Sequence, residues 1–514
     1  MSNFSNGQGT PARSENADAS GAPRTAQPSL RKAAVSGMAY AGIQSIAVRV
    51  VLLFSQILLG WLLLPDAFGI SALAGTIATL AWSFSSFGTD EVLLQRGATI
   101  ALWEKTVFAL SLGASCLAFA VMLAIGPFAA AMFNEPQILL PLALSGAAMV
   151  ITSMTTVSSV KLRYAMDFKF LAFVTVTQAI LLQTLIVCFA FMGFGAMSFF
   201  WPVPFVKLYG LTLLWRRSPP NFIGALSLRR TLIFINKSGR VFVSRISQAV
   251  LSQADYIVLG LFATTSIVGF YSFAYRLAAV PMRVLGTNLR TVLVPTLTRL
   301  KSDKARQSKA AQEAAEMLAY LIMPFCFIVA AVSEPAMRML FHEKWLASVL
   351  ILQVLSIGMP MEAILGVARS QLAARGEFTR AMKYDVSCVA VFVIFTIVGG
   401  LSGGALGVAI AVSAYNCVVS PIMFFRVFPP ENGYVSAYAR VFGLPGILSF
   451  TAAFIGYLAG QYSGQSMAPI FSCLVIGGVS TLAYVAAIWT LKRSVFNTFL
   501  RLGAGFLPRN KQSA

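Results

Sequence analysis

Histidine and charged residues are scarce in this chain. One histidine, His342, occurs in 514 residues, and Asp, Glu, Lys and Arg together make up 11% of the sequence. A lone histidine excludes a metal centre built from several histidines and argues against an acyltransferase that depends on histidine. Since 57% of the residues are hydrophobic, the composition is that of a polytopic membrane protein rather than a soluble domain.

Cysteine is also rare, and its spacing excludes a metal site or a disulfide framework. The six cysteines fall inside hydrophobic stretches and in no ligand spacing, so we expect small buried apolar residues, and we predict no metal and no cofactor. The net charge of +21 is concentrated between the hydrophobic stretches. It therefore indicates orientation in a membrane and not the binding of nucleic acid.

Hydrophobic segments long enough to cross a bilayer, which takes ~20 apolar residues, recur along the chain. We predict fourteen spans, at about residues 36–62, 67–88, 106–132, 138–160, 170–192, 194–215, 238–263, 266–296, 316–340, 345–368, 383–400, 403–425, 440–460 and 468–490. With this topology, 31 of the 39 Lys and Arg residues fall on one side, and only Arg338 and Lys344 fall in loops on the other. This asymmetry predicts both termini in the cytoplasm.

An internal repeat predicts an all-α fold of two six-helix lobes with two extra C-terminal helices. Shifting the chain by 200 residues superposes Gly60 on Gly260 and Gly69 on Gly269. The first and seventh spans have the same orientation, so the repeat is parallel, about an axis along the membrane normal. We predict a disordered cytoplasmic tail (1–35), an N-lobe (36–215), a cytoplasmic linker (216–237), a C-lobe (238–425), helices 13 and 14 (426–491) and a cytoplasmic C-terminal tail (492–514).

Arginines inside the spans are the main functional signal. A charge at mid-depth costs ~2.5–3.5 kcal/mol, so such residues usually face a bundle interior or a wet cavity. With a rise of ~1.5 Å per residue, Arg49, Arg245 and Arg283 fall at one level in the inner half of the membrane. We predict that they bind an anion, with Arg276 as a further candidate on the helix face of Arg283. The alternative is that Arg283, like Arg290, snorkels to the cytoplasmic surface.

Carboxylates inside the spans are candidates for ion coupling. Glu362 follows Pro360 deep in the tenth span, where it could exchange a proton or a sodium ion, and Asp255 is the second candidate. The alternative is that Glu362 only neutralises an arginine. Asp255 and Arg276 lie at a shallower level on neighbouring helices, where we predict an ion pair.

Amide side chains on the same helices are candidates for contacts with sugar hydroxyls. They are Gln44, Gln56, Gln248, Gln253 and Asn288. Ordinary hydrogen bonds between helices are an equal alternative for these residues.

Five short motifs resemble those of bacterial polysaccharide flippases. Residues 62–69 (LLLPDAFG) resemble the LLxPxxFG signature after the first helix, and residues 341–345 (FHEKW) resemble the LFGxKW turn, with His342 where glycine is usual. The other three are the GxxxxLLQR-like stretch 88–96, the YRL, P, VP and RL elements of 275–300, and LAARG at 372–376. Through these motifs the chain is identified as a member of the Wzx-like polysaccharide transporter branch of the multidrug/oligosaccharidyl-lipid/polysaccharide exporter superfamily.

The resemblance implies a function in exopolysaccharide, capsule or O-antigen synthesis. The expected activity is alternating-access transfer of an undecaprenyl-pyrophosphate-linked oligosaccharide across the bacterial inner membrane. Its partners would be that lipid, a proton or sodium ion, membrane lipid, and polymerase and chain-length or export proteins. The alternatives are a multidrug or cation exporter, and a membrane polymerase or glycosyltransferase. The short loops and the lack of a carboxylate cluster argue against an enzyme.

Overall fold

The computed structural model describes residues 30–86, 88–94, 96–221, 228–286, 293, 296–300, 303–429, 433–462 and 469–498. These residues form helices and no strand. Ten of the described helical segments are long and apolar enough to cross a membrane, and the apolar stretch Ala47–Leu62 is shorter. The chain is therefore an all-α polytopic membrane protein, as predicted, while the count of fourteen spans stays a prediction.

The helices follow the predicted spans, several of them in two pieces. The first half contains α1 (Leu30–Leu62), α2 (Pro65–Ser86), α3 (Thr89–Leu94), α4 (Ile100–Met132), α5 (Leu139–Ser153), α6 (Thr156–Tyr164), α7 (Phe168–Phe191) and α8 (Pro202–Arg217). The second half contains α9 (Leu228–Leu251), α10 (Ala254–Phe262), α11 (Thr265–Ala278), α12 (Lys304–Phe341), α13 (Val349–Arg375), α14 (Phe378–Val427), α15 (Tyr434–Tyr438), α16 (Leu444–Tyr462) and α17 (Pro469–Leu491).

Four predicted spans are not the simple separate helices that hydropathy indicates. The seventh breaks at Ser252 and Gln253, between α9 and α10. The eighth leaves α11 at Ala278 and continues as a π-helical stretch, Met282–Gly286, which changes the number of residues per turn. Spans eleven and twelve are joined as α14 through a kink at Gly404, whose φ of +56° suits glycine.

The two lobes meet around a pseudo-twofold axis at one end of the bundle. We call this end, which contains the α1–α2 and α10–α11 turns, the outer end, and the opposite end the inner end, after the predicted topology. A Cβ on Gly60 would contact Phe273, and a Cβ on Gly260 would contact Leu73, 200 residues earlier than Phe273. Reciprocal contacts of this kind are expected where equivalent surfaces face each other across a twofold axis.

Aromatic packing closes the outer end around Trp345, which is fully buried. Its ring stacks on Phe273, with centroids 3.9 Å apart, and meets the edge of Phe68 at 5.1 Å. The indole N–H donates to the carbonyl of Gly60 at 2.9 Å. Helices from both lobes are thereby joined at this end.

At the inner end, α9 of the second half packs against the first half. Phe234 is fully buried among Val92, Leu93 and Ile100. The last two helices, α16 and α17, pack instead against α12. There the hydroxyl of Tyr484 donates to the carbonyl of Tyr320 at 2.6 Å.

At the inner end, the ion pair between Glu104 and Lys161 holds the segment that follows α8, at Asn221, against α4 and α6. Glu104 on α4 is 2% exposed, and its Oε1 lies 3.1 Å from Lys161 Nζ on α6. The backbone N–H of Asn221 donates to Glu104 Oε2 at 2.7 Å. Neither residue of this pair stood out in the sequence, because both fall at predicted span boundaries rich in charge.

Candidate functional site

A polar cavity of about 220 Å³ lies among α2 to α6 and α9. Its most common lining group is the hydroxyl, supplied by Ser85, Thr89, Ser111, Ser115, Thr152, Ser153, Thr155, Thr156 and Ser159. Several of these hydroxyls donate to carbonyls one turn back in their own helix, as Thr152 does to Ala148 at 2.8 Å. Ser115 Oγ is buried without a hydrogen-bond partner among the described residues. The wall therefore presents oxygen lone pairs to the cavity.

Arg245 on α9 and Arg163 on α6 bring positive charge to this hydroxyl-lined cavity. The Arg245 Nη2 lies 3.1 Å from Asp90 Oδ1, and the Arg163 Nη1 lies 3.8 Å from Asp90 Oδ2. The two side chains of the closer pair are 28% and 29% exposed, so water and solutes reach them. With two guanidiniums and one carboxylate, the group keeps a net positive charge and a surplus of N–H donors for an anion.

The other predicted arginines have different surroundings. Arg49 is half-buried on α1, which packs mainly against α7, and Arg283 is exposed in the π-helical stretch. The joining of Arg49, Arg245 and Arg283 in one anion site stays a prediction. Arg290 and Asn288 lie outside the described residues.

The predicted ion pair between Asp255 and Arg276 is wrong. Asp255 is 1% exposed and accepts hydrogen bonds from the Tyr271 hydroxyl at 2.7 Å and from the backbone N–H of Tyr256 at 3.0 Å. The guanidinium of Arg276 lies over the ring of Phe68, 5.5 Å from its centroid, and donates to Ser71 Oγ at 3.3 Å. A prediction from depth along an unbroken helix includes neither the break at Ser252 and Gln253 nor the Tyr271 hydroxyl that binds Asp255.

A second cavity, of about 230 Å³, holds the carboxylates of Asp255 and Glu362. Arg369, Gln248 and Asn416 also line it. Glu362 and Arg369 therefore line the same cavity. The two candidate ion-coupling residues thus share one cavity with a basic residue.

Arg369 and Asp385 are functional candidates that the sequence analysis missed. Arg369 Nε lies 3.3 Å from Asp385 Oδ1, and Gln248 Nε2 donates to Asp385 Oδ2 at 3.3 Å. The Ser244 hydroxyl also donates to Asp385. The predicted tenth span ends at residue 368, which places Arg369 just outside it, among the cytoplasmic basic residues. Its position seven residues after Glu362, two turns along one helix face, is the signal that would have identified it.

The predicted sugar-contacting amides are dispersed. Gln248 belongs to the second cavity, where it is bonded to Asp385. Gln253, in the break between α9 and α10, accepts from Thr76 Oγ1 at 2.9 Å and so links the two halves of the chain. Gln44 is half-buried on α1, and the Nε2 of Gln56 is buried without a partner among the described residues. Their contact with sugar stays a prediction.

Proteins of known role resemble this chain along nearly its whole length. It is 23% identical over 476 residues to the succinoglycan biosynthesis transport protein ExoT of Rhizobium meliloti (strain 1021), covering 88% of this chain and 92% of that protein. It is 20% identical over 476 residues to the lipopolysaccharide biosynthesis protein WzxC of Escherichia coli (strain K12), covering 90% and 94%.

Solved transporter structures share the fold. The inward closed lipid II flippase MurJ superposes with a TM-score of 0.68 at 13% identity, covering 90% of this chain and 99% of that one. An inward-facing multidrug resistance MATE family transporter of the MOP superfamily gives 0.59 at 15% identity, covering 78% and 98%. The profile of a family described as polysaccharide biosynthesis protein matches residues 58–350, more than half of the chain. The motif resemblance is thereby confirmed, and the chain belongs to the polysaccharide biosynthesis protein family.

Proposed function

We propose that the protein transfers an undecaprenyl-pyrophosphate-linked oligosaccharide repeat unit from the cytoplasmic to the periplasmic leaflet of the bacterial inner membrane. The names of its relatives, which concern the making or transport of surface polysaccharides, support this cargo. The observation that carries the proposal is the accessible Arg245–Asp90 pair in a cavity lined with hydroxyls. A pyrophosphate needs guanidinium donors of this kind, and the hydroxyls of its sugars can donate to the oxygen lone pairs of the cavity wall.

In the proposed binding step, the pyrophosphate competes with Asp90 for Arg245. In the resting protein Asp90 holds Arg245, which keeps the guanidinium paired inside the membrane. An arriving pyrophosphate takes over the N–H donors and releases Asp90, while the polyprenyl chain stays in hydrocarbon. Arg49, Arg276 and Arg283 would stabilise the anion as it passes, and Gln44, Gln248, Gln253 and Asn288 would contact sugars.

Movement of the lobes would then expose the head group on the other side. Asp90 belongs to α3 and Arg245 to α9, so loss of their ion pair loosens the contact between the two halves of the chain at the inner end. Proton or sodium exchange at Glu362 and Asp255 would supply the driving force. In this proposal both termini lie in the cytoplasm, and the two lobes that move are the predicted N-lobe (36–215) and C-lobe (238–425). Polymerase and chain-length or export proteins would receive the product.

The rival functions receive less support. A cation exporter calls for negative charge in the cavity that takes the cargo. In the hydroxyl-lined cavity, where we place the cargo, Arg245 and Arg163 outnumber Asp90. A polymerase or glycosyltransferase calls for catalytic loops, and the described connections between helices are short.

Substitution of the arginines tests the anion site. Arg49→Ala, Arg245→Ala and Arg283→Ala should each abolish polymer export and leave lipid-linked repeat units on the cytoplasmic side, with the protein still in the membrane. Arg338→Ala is the matched control, because that arginine is exposed and pairs with Glu334 one turn away. Normal export by all three variants would overturn the anion site.

A further inference from the structure

An apolar groove of about 570 Å³ runs along the outside of α2, α4 and the α9–α10 unit. All the side chains that line it are apolar, from Phe84 and Phe242 at one end to Phe128 and Met132 at the other. Its α4 wall extends from Ala114 to Met132, nineteen residues, or roughly 28 Å at the helical rise. The groove is therefore nearly as long as a bilayer's hydrocarbon core is thick, ~30 Å.

The groove adjoins the hydroxyl-lined cavity along three helices. On α4, Ala114 faces the groove and Ser115 the cavity, and on α2 the corresponding neighbours are Phe84 and Ser85. On α9, Phe242 lines the groove and Arg245, one turn later, lines the cavity. A ligand lying across this boundary would meet arginine and hydroxyl groups at its head and only hydrocarbon along its tail.

The boundary between the two sites is narrow. Phe84 and Phe242, one from each half of the chain, meet edge to face there with ring centroids 5.6 Å apart. Beyond this pair, alanines at 114, 118 and 129 alternate with larger side chains along α4, so the wall has notches.

We infer that this groove binds the isoprenoid chain of the lipid carrier, with the pyrophosphate end of the same molecule at Arg245. The inference rests on the proposed function, which supplies a polyprenyl pyrophosphate as cargo. Continuity with the positively charged cavity favours this occupant over a membrane phospholipid. Since Phe242 and Ile257 belong to the second half of the chain and α2 and α4 to the first, a bound chain lies along the seam between the lobes and follows their movement.

Binding measurements on the full-length protein in detergent test the inference. The ligands are undecaprenyl pyrophosphate, geranyl pyrophosphate, which has the head but too short a chain, and phosphatidylglycerol. Because the chain passes from one hydrocarbon environment to another, its gain comes from packing alone, and we expect undecaprenyl pyrophosphate to bind about fivefold tighter than geranyl pyrophosphate. Val121→Trp, which fills the groove, should remove this difference and leave geranyl pyrophosphate binding unchanged.

Leu123→Trp is the matched control, since Leu123 is exposed on the same helix but does not line the groove. It should keep the fivefold preference. A photoreactive polyprenyl pyrophosphate should also label the α4 segment 114–132 in the wild-type protein, which checks the site without any variant.

The outcomes separate the two proposals. If neither pyrophosphate binds, the proposed function fails. If both bind equally, or Val121→Trp keeps the preference, the groove assignment fails and the function stands. Displacement of undecaprenyl pyrophosphate by an equal concentration of phosphatidylglycerol would also overturn the assignment, by making the groove an ordinary phospholipid site.

Discussion

Gly69 and Gly269, 200 residues apart, each lie against the first residues of the other's helix. A Cβ on Gly69 would overlap the carbonyl oxygen of Thr265, and a Cβ on Gly269 would overlap that of Pro65. The contact is reciprocal, as at a twofold axis. It lets α2 and α11 approach closely at the outer end, where the Ser266 hydroxyl also donates to Asp66.

Alanine at either glycine should destabilise the protein. In Gly69→Ala and Gly269→Ala the methyl group meets backbone that cannot move alone, so we expect a cost of about 1–3 kcal/mol, typical of overpacking. The measurement is the melting temperature of the purified protein in detergent. Gly75→Ala on α2 is the control, because its Cβ meets nothing within 4 Å and alanine favours the helix. Unchanged melting of both outer-end variants would contradict the close approach.

Asp90→Asn should separate a binding role of Arg245 from a structural one. The substitution frees Arg245 from its carboxylate partner while keeping an amide of the same shape. If Arg245 binds pyrophosphate, Asp90→Asn should bind geranyl pyrophosphate at least as tightly as the wild type, whereas Arg245→Ala should lose about tenfold or more. Equal losses in both variants would mean that the ion pair acts only to join the lobes.

Lys161→Ala should lower stability more than the loss of an exposed ion pair does. Glu104 would remain buried with the N–H of Asn221 but without its cation, and an uncompensated buried charge costs about 3 kcal/mol. Arg338→Ala, which breaks an exposed pair with Glu334, should cost less than about 1 kcal/mol. The melting temperatures of both variants give the comparison. Similar small decreases in melting temperature would argue against a stabilising role for the Glu104–Lys161 ion pair.

Glu362→Gln should block transport without blocking binding of a lipid pyrophosphate. The amide keeps the shape of the side chain but cannot exchange a proton or pair with a sodium ion in the cavity shared with Asp255. Export of polymer and binding of geranyl pyrophosphate are measured on the same variant, with Asp255→Asn beside it. Unaltered export by Glu362→Gln would place the coupling elsewhere.

The general architecture could be predicted from the sequence, because the patterns that indicate it are local or repeated. Hydrophobic length predicts membrane-spanning helices, and ten helices of that kind occur in the described part of the chain. The 200-residue offset of Gly60 and Gly69 predicts the pseudo-twofold repeat, whose reciprocal contacts occur at the outer end. Short motifs gave the family. The break in the seventh span is harder to predict, since Ser252 and Gln253 are not residues that end a helix by themselves. The predicted partner of Asp255, Arg276, is wrong, because the Tyr271 hydroxyl binds this carboxylate.

The sequence by itself determined that this chain crosses a membrane as two related helical lobes. The reason is that apolar segments long enough to span a bilayer, and their repetition after 200 residues, are visible in the order of the residues alone. Tertiary structure alone decided which polar groups meet. Asp90 and Arg245 are 155 positions apart, and the hydroxyls of the polar cavity follow no shared period. Their convergence depends on how separate helices pack. The same packing decides whether an arginine within the helical bundle faces a carboxylate, as Arg245 does, or an aromatic ring, as Arg276 does.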